Sequence, residues 1–362
     1  MEYVTQCGPA VSRDFGVPVL GVCGFSGSGK TTLLETTIPR LVSRGWAIAV
    51  VKHDAHGFTV DRPGKDSDRL FRAGATVALR GPSEQFQRRG SSSCVSLEGM
   101  LADVARDHDF ILVEGHKDTR LPKIWLSEQE GSLSPGTVTG VLKVLPWDSD
   151  RLNTFLQFIE SWLPHAHSRR PIYTGLLIGG KDSPTGRAKQ MLEVNGQTRA
   201  EIAAAALTSG LRNVVGPSMK RLLLLGAGTI PSSLSRASRL PNAPGVEGPL
   251  AGLLAAHRWN PRAAWIVSGC DHAWLNPSDV QWLAEQRRPG TWAILLRQTD
   301  DLYPLFGLFE PQSLQVLERA VLERGPKKVR IADLCEHPRT RSVLNADARL
   351  EFNNALVATS TE

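Results

Sequence analysis

Cysteine is scarce in this chain, and what there is does not pair. Cys7, Cys23, Cys94, Cys270 and Cys335 are five among 362 residues, odd in number, scattered and without a CxxC step. They indicate neither a disulfide framework nor a structural zinc site and read as reduced thiols. No apolar run approaches the roughly 18 residues that cross a bilayer. The opening stretch also lacks the apolar core of a secretory signal, so a cytoplasmic protein without a membrane partner is expected. Long runs of one charge are missing too. Lys and Arg total 42 against 36 Asp and Glu, a net charge of +6, but the cations stand singly or in pairs such as Arg88 and Arg89. Such a field suits anionic small molecules better than a nucleic-acid groove, so no nucleic-acid partner is expected.

What is present is a phosphate-binding motif. Residues 24–31 read GFSGSGKT and follow the apolar run Val19, Leu20, Val22. Gly24, Gly27 and Gly29 let the backbone turn and approach phosphate oxygens, with Ser26, Ser28 and the N-terminus of the next helix around the anion. Lys30 reaches the outer phosphates, and Thr31, followed by Thr32, brings a hydroxyl to the magnesium ion that bridges them.

The length fits two domains, and the order of segments predicts an α/β chain: a P-loop NTPase domain with a mostly parallel sheet, then a Rossmann-like nucleotidyltransferase domain. Residues 46–51 (WAIAVV) and 110–113 (FILV) read as buried strands, the second ending at Glu114, and 151–163 as a helix. Segment 164–171, PHAHSRRP, has proline at both ends and marks the boundary. The expected division is 15–165, a linker at 166–171, a second domain at 172–335 and a polar tail at 336–362. In the second half, 172–178 and 221–225 read as strands, and 231–249 as a long loop rich in Pro, Ser and Gly.

Several side chains gather where strands end. VKHDAH (51–56) places His53 and His56 three apart, an incomplete ligand set that fits metal binding, substrate contact or plain loop histidines. Glu114 stands where P-loop proteins keep an acid for magnesium or for orienting water, or else serves as a partner for Lys or Arg. Four motifs in order, GFSGSGKTTL, VKHDAH, DRPGKDSDRLFRAGA and ILVEGHKDTRLPKI, resemble the MobB adaptor of molybdopterin-guanine dinucleotide biosynthesis over most of residues 18–163. The resemblance implies a GTP-binding, slow GTPase that is usually a homodimer. It alone carries the base preference, because the NKxD signature of Ras-like GTPases is absent.

LLIGGKDSPTGRAK (176–189) resembles the nucleotide loop of the MobA guanylyltransferases, and LEVNG, EGPLAGLLAA, GCD and LYPLFGLF continue the likeness to about residue 310. Leu177 and Ile178 lead into Gly179 and Gly180, whose N–H groups meet the triphosphate, and Lys189 neutralises charge during transfer. Asp271, ending a buried strand, either holds magnesium against the phosphates or caps the following helix. Asn242 falls where that family usually has an aspartate near the guanine nucleotide; it hydrogen-bonds a base or is an ordinary loop residue. Pro184, Thr185 and Ala188 stand where the family has arginine, methionine and an acid, and Ala273 where it has proline.

The function this implies is transfer of GMP from GTP to Mo-molybdopterin, releasing pyrophosphate, with Mg2+ and a GTP-binding first half. Expected partners are GTP, molybdopterin, a second copy through the first domain, and apo-molybdoenzymes or their chaperones. The departures at Pro184, Thr185 and Ala188 favour the alternative: a GTP-binding adaptor for guanylylation or delivery whose transferase-like domain has lost catalysis.

Overall fold

The computed structural model describes residues 14–52, 59–90, 96–128, 138–179, 188–216, 222–298 and 301–344. Its first half runs β1 (Val19–Gly24), α1 (Lys30–Val42), β2 (Ile48–Lys52), α2 (Asp66–Arg72), β3 (Val77–Arg80), β4 (Gln85–Arg88), α3 (Leu97–Val104), β5 (Phe110–Glu114), β6 (Lys123–Leu126), β7 (Val141–Leu145) and α4 (Arg151–Ser168). Five strands form one parallel sheet in the order β2-β5-β1-β6-β7, while β3 and β4 pair apart from it. The sheet is covered on both faces, so β5 is a continuous apolar run rather than an alternating one. Phe110 and Leu112 pack with Leu34, Leu41 and Phe155 on one side. Ile111 and Val113 pack with Leu101 and Val51 on the other. Each such side chain contributes about 1.5–3 kcal/mol on leaving water.

The second half contains β8 (Ile172–Leu177), β9 (Glu193–Val194), β10 (Gln197–Thr198), α5 (Arg199–Val215), β11 (Leu222–Leu225), β12 (Ser238–Leu240), α6 (Gly248–Trp259), β13 (Ala264–Gly269), α7 (Pro277–Glu285), β14 (Ala293–Gln298), β15 (Asp301–Phe309), α8 (Pro311–Arg324) and β16 (Thr340–Leu344). Its seven-stranded sheet has the order β12-β11-β8-β13-β15-β14-β16. Only β15 runs against its neighbours. The expected two tandem α/β units are the architecture found.

Local structure departs from the sequence reading in three places. Helix α4 runs on to Ser168 with Pro164 inside it, because Phe155, Ile159, Leu163 and His167 continue one buried stripe across the proline. Part of the stretch read as a loop is β12, which pairs with β11 at the sheet edge. Residues 340–344, read as part of a polar tail, form β16 beside β14. Strands at or near a sheet's edge need little apolar sequence, which is why neither announces itself.

The halves meet through the N-terminal ends of their strands. Asp109, just before β5, accepts from Ala47 N (2.6 Å), from Trp292 Nε1 (2.7 Å) and from Arg339 Nη1 (2.6 Å). Glu310, 1% exposed, accepts from Arg287 Nε (2.7 Å), from His167 Nε2 (3.2 Å) and from Arg170, which also donates to the Gly16 carbonyl. Arg262 donates to the Asp14 carbonyl at 2.9 Å, and Arg319 pairs with Asp107. No helix among the described residues is long and apolar enough to cross a membrane.

Candidate nucleotide sites

The first site is the turn between β1 and α1. Gly24, Gly27 and Gly29 take φ of 156°, 79° and 87°, a region where a Cβ costs about 1–2 kcal/mol. A Cβ on Gly24 would also meet Ser28 Oγ at 2.5 Å. Gly29 is the N-cap of α1; it offers no side-chain cap, and the first turn holds no acid. The first N–H groups and the positive helix end therefore face outward, ready for an anion. Lys30 Nζ lies across the loop, donating to the carbonyls of Gly24 (3.1 Å) and Phe25 (2.6 Å). Ser26, Thr31 and Thr32 are exposed around it and Ser28 is buried beneath.

Parallel registry brings the acid to this loop. Val22, Glu114 and Lys52 stand side by side on β1, β5 and β2. Thr31 Oγ1 donates to Glu114 Oε1 at 2.7 Å, and Lys52 Nζ lies 3.4 Å from the same oxygen. Glu114 is thus the partner of a lysine and a neighbour of the phosphate loop. One hydroxyl and one carboxylate are hard-oxygen donors of the kind that would hold Mg2+ together with a bound phosphate. Among the described residues no group of three or more His, Cys, Asp or Glu is fit to hold a metal alone. A cation at this pair would be held jointly with a nucleotide.

The second site is a cavity of about 490 Å³ at the C-terminal ends of β8, β11 and β13. Leu177, Ile178, Gly179, Lys189, Asn242 and Asp271 all line it. Close packing explains Gly252 in its lining and Gly228 next to Gly179. A Cβ on Gly252 of α6 would meet Leu177 Cδ2 at 2.7 Å, and one on Gly228 would meet Gly179 N at the same distance. Asp271 is 36% exposed at the side chain, and α7 is capped by Asn276 instead, so this carboxylate faces the cavity rather than a helix end. One carboxylate with room for phosphate and water beside it fits Mg2+ in the same shared manner. Burial pushes the Cys270 thiol up, as does the Asp271 charge, leaving it protonated. His272 is buried, its Nδ1 3.0 Å from Ser268 Oγ; burial lowers its pKa against the pull of Asp271.

The sequence reading missed the residues that hold these loops. Arg151, the first residue of α4, donates to the Ser28 carbonyl (2.8 Å), the Pro146 carbonyl (2.8 Å) and the Ser127 carbonyl. Lys123, fully buried on β6, donates to the Lys117 carbonyl (2.9 Å) and to that of Thr119, fixing the turn after Glu114. Arg239 clamps the carbonyls of Gly226 and Gly228 at 2.7 Å each beside the second cavity. Gly180, Pro184, Thr185, His53 and His56 lie outside the described residues. Ala188 lies within them, immediately before Lys189, which is exposed at the cavity rim.

Comparison with known proteins finds one family match in each half of the chain. Residues 19–140 match the family "MobB: Molybdopterin guanine dinucleotide synthesis protein B", and residues 175–338 match "MobA-like NTP transferase domain". The molybdopterin-guanine dinucleotide biosynthesis adapter protein of Haemophilus influenzae is 37% identical over 42% of this chain and 94% of its own length. A molybdenum cofactor biosynthesis bifunctional protein of Synechocystis is 27% identical over 42% of this chain and 43% of its own. The crystal structure of molybdopterin-guanine dinucleotide biosynthesis protein A from Archaeoglobus fulgidus aligns with 52% of this chain and 90% of that one at 19% identity, TM-score 0.39. With a phosphate loop, its acid and the flanking strands all inside the matched region, the chain belongs to the MobB adapter family and carries a MobA-like NTP transferase domain behind it.

Proposed function

We propose that this chain works in molybdenum-cofactor biosynthesis in the cytoplasm, moving GMP from GTP to the terminal phosphate of Mo-molybdopterin. The observation that carries this reading is the convergence of Gly179, Lys189, Asn242 and Asp271 on one cavity at the strand ends, in a domain matched as MobA-like. A phosphate oxygen of the pterin attacks the α-phosphorus of GTP, the bond to the β-phosphate oxygen breaks, and pyrophosphate leaves. The Gly179 turn holds the nucleotide, Lys189 offsets charge as it builds on the leaving group, and Asn242 meets the base. Asp271 would hold Mg2+, which when bound draws charge from the attacked and departing oxygens. In the first half the phosphate loop, Lys30 and Thr31 bind a second GTP, with Glu114 beside its metal edge. Val60, Leu70 and Leu79 stand exposed around α2 and the β3–β4 pair, the surface we assign to a second copy. Apo-molybdoenzymes or their chaperones would receive the product.

The test is magnesium-dependent transfer by the full-length protein, with GTP hydrolysis followed in parallel. Asp271→Ala abolishes transfer, a loss of a thousandfold or more on the scale of removing a charged group from a transition state. Lys30→Ala removes hydrolysis and leaves transfer largely in place. Equal activity in wild type and both variants sinks the assignment.

A further inference from the structure

We propose that the turn between β7 and α4, residues 146–150, is the guanine subsite of the phosphate-loop nucleotide. The inference rests on the reading of that loop as a nucleoside triphosphate site. Glu114 lies on β5, on one flank of β1, whereas β6 and β7 lie on the other. Thr31 and Glu114 would hold the cation that accompanies the outer phosphates on the β5 flank. The α-phosphate and nucleoside therefore leave over the opposite flank, where β7 ends.

The turn there is tied to the phosphate loop by one side chain. Arg151 donates Nη1 to the Ser28 carbonyl and Nε to the Pro146 carbonyl, both at 2.8 Å, and Nη2 to the Leu145 carbonyl at 3.4 Å. Its Cζ stands 5.6 Å from the centroid of Trp147. The indole is thus one guanidinium away from the phosphate loop, yet it is 59% exposed. A large aromatic held in a fixed turn with its surface in water is a platform on which a base stacks.

Base identity comes from the next residue. Asp150 is already used, accepting from Asn153 N (3.1 Å) and Nδ2 (2.6 Å) at the start of α4. Asp148 is exposed, with no hydrogen bond or ion pair among the described residues. An ionised carboxylate only accepts. Guanine presents two adjacent donors, N1–H and the 2-amino group, which one carboxylate takes as a fork. Adenine presents a ring acceptor beside its amino group and would meet the same oxygens with repulsion. Asp148 supplies the acid that the absent NKxD motif would have carried.

The test is equilibrium binding of GTP, XTP and ATP to the full chain, with Lys30→Ala defining what does not belong to this loop. Xanthine replaces the 2-amino donor of guanine with a carbonyl acceptor. Asp148→Asn, which offers a donor there, should lower Lys30-dependent GTP affinity at least tenfold and reverse the GTP-over-XTP order. Trp147→Ala should weaken GTP and XTP by a similar factor of about tenfold, the loss of one stacked base. Both side chains are exposed, and unchanged far-ultraviolet circular dichroism checks the fold. Lys30-dependent GTP binding with an unchanged GTP-to-XTP ratio in Asp148→Asn overturns the subsite. Absence of Lys30-dependent binding of any of the three by the wild type overturns the reading beneath it as well.

Discussion

Glu310→Ala should unfold this protein far more readily than its position away from either nucleotide site implies. The carboxylate is 1% exposed and serves Arg170, Arg287 and His167 together. The Arg170 and Arg287 side chains are 5% and 4% exposed, so truncation strands two guanidiniums out of water with no anion between them. Breaking one buried pair costs about 3–5 kcal/mol, chiefly through the charge left behind. We expect about 4 kcal/mol here. At a urea dependence of about 3 kcal/mol per molar, the unfolding midpoint falls by about 1 M or more.

Urea titration followed by tryptophan fluorescence reads this directly, since Trp292 sits at the same interface. Two companion variants separate charge from packing. Glu310→Gln keeps the shape and one acceptor and should fall between wild type and Glu310→Ala. Replacing Glu310, Arg170 and Arg287 together with Leu, Met and Met removes the desolvation cost along with the attraction and should recover most of the loss. A Glu310→Ala midpoint within about 0.3 M of wild type, equivalent to about 1 kcal/mol at that slope, would refute the claim that this carboxylate holds the junction together.

Two further outcomes concern the same scaffold. His167 is lowered to about 4, first by burial and then by Arg170, so its Nε2–H donates to Glu310 in the neutral form. An unfolded chain takes up a proton below about pH 6.5 that the folded one refuses. Stability is therefore full above that pH and falls as pH drops towards 4, by about 3 kcal/mol through this group; thermal melts of His167→Gln should lose that part of the slope, and slopes equal to wild type would contradict it. Gly210→Ala should lower the melting temperature, because the new Cβ would stand 2.6 Å from Val280 Cβ and closer still to the Pro277 carbonyl. Overpacking costs about 1–3 kcal/mol and outweighs the roughly 1 kcal/mol gain in helix propensity; a melt at or above wild type would show that α7 yields freely.

Whatever is local in the chain was legible. The phosphate loop, β5 ending at Glu114 and β13 ending near Asp271 rest on motif spacing and short apolar runs, and each stands at a strand end as expected. Pro164 misled because a proline normally costs a helix about 3 kcal/mol, whereas here the buried stripe from Phe155 to His167 continues through it. Arg151 reads in sequence as an ordinary cation at the start of a helix. Its carbonyl partners lie 5, 24 and 123 residues away, and most of that separation leaves no periodicity. Lys123 offered a hint, since a lysine inside the strand KIWL must find partners for its ammonium, but which carbonyls it meets depends on how the turn at 115–119 folds back. The Glu310 cluster joins residues 140 and 143 apart and gave no sign at all.

That cluster also decides how the two halves can cooperate. Asp109 precedes β5 while Glu114 ends it; Arg170 precedes β8 while Leu177 ends it; Glu310 follows β15, opposite the start of β13, while Asp271 follows its end. The polar contacts of Asp109, Arg170 and Glu310 across the junction are thus made at the edge of each sheet away from its candidate nucleotide site. Strands of five or six residues rise about 3.3 Å per residue, so each candidate site stands roughly 17–20 Å from the contacts that join the halves. On the proposed reading, Lys30 and Glu114 of one polypeptide do not reach a nucleotide bound at Asp271. On that reading fusion raises the local concentration of the two halves without making a composite centre. A product released from the Asp271 cavity, if the proposed transfer takes place there, would meet a phosphate loop by passing through solvent or by reaching the first half of another copy.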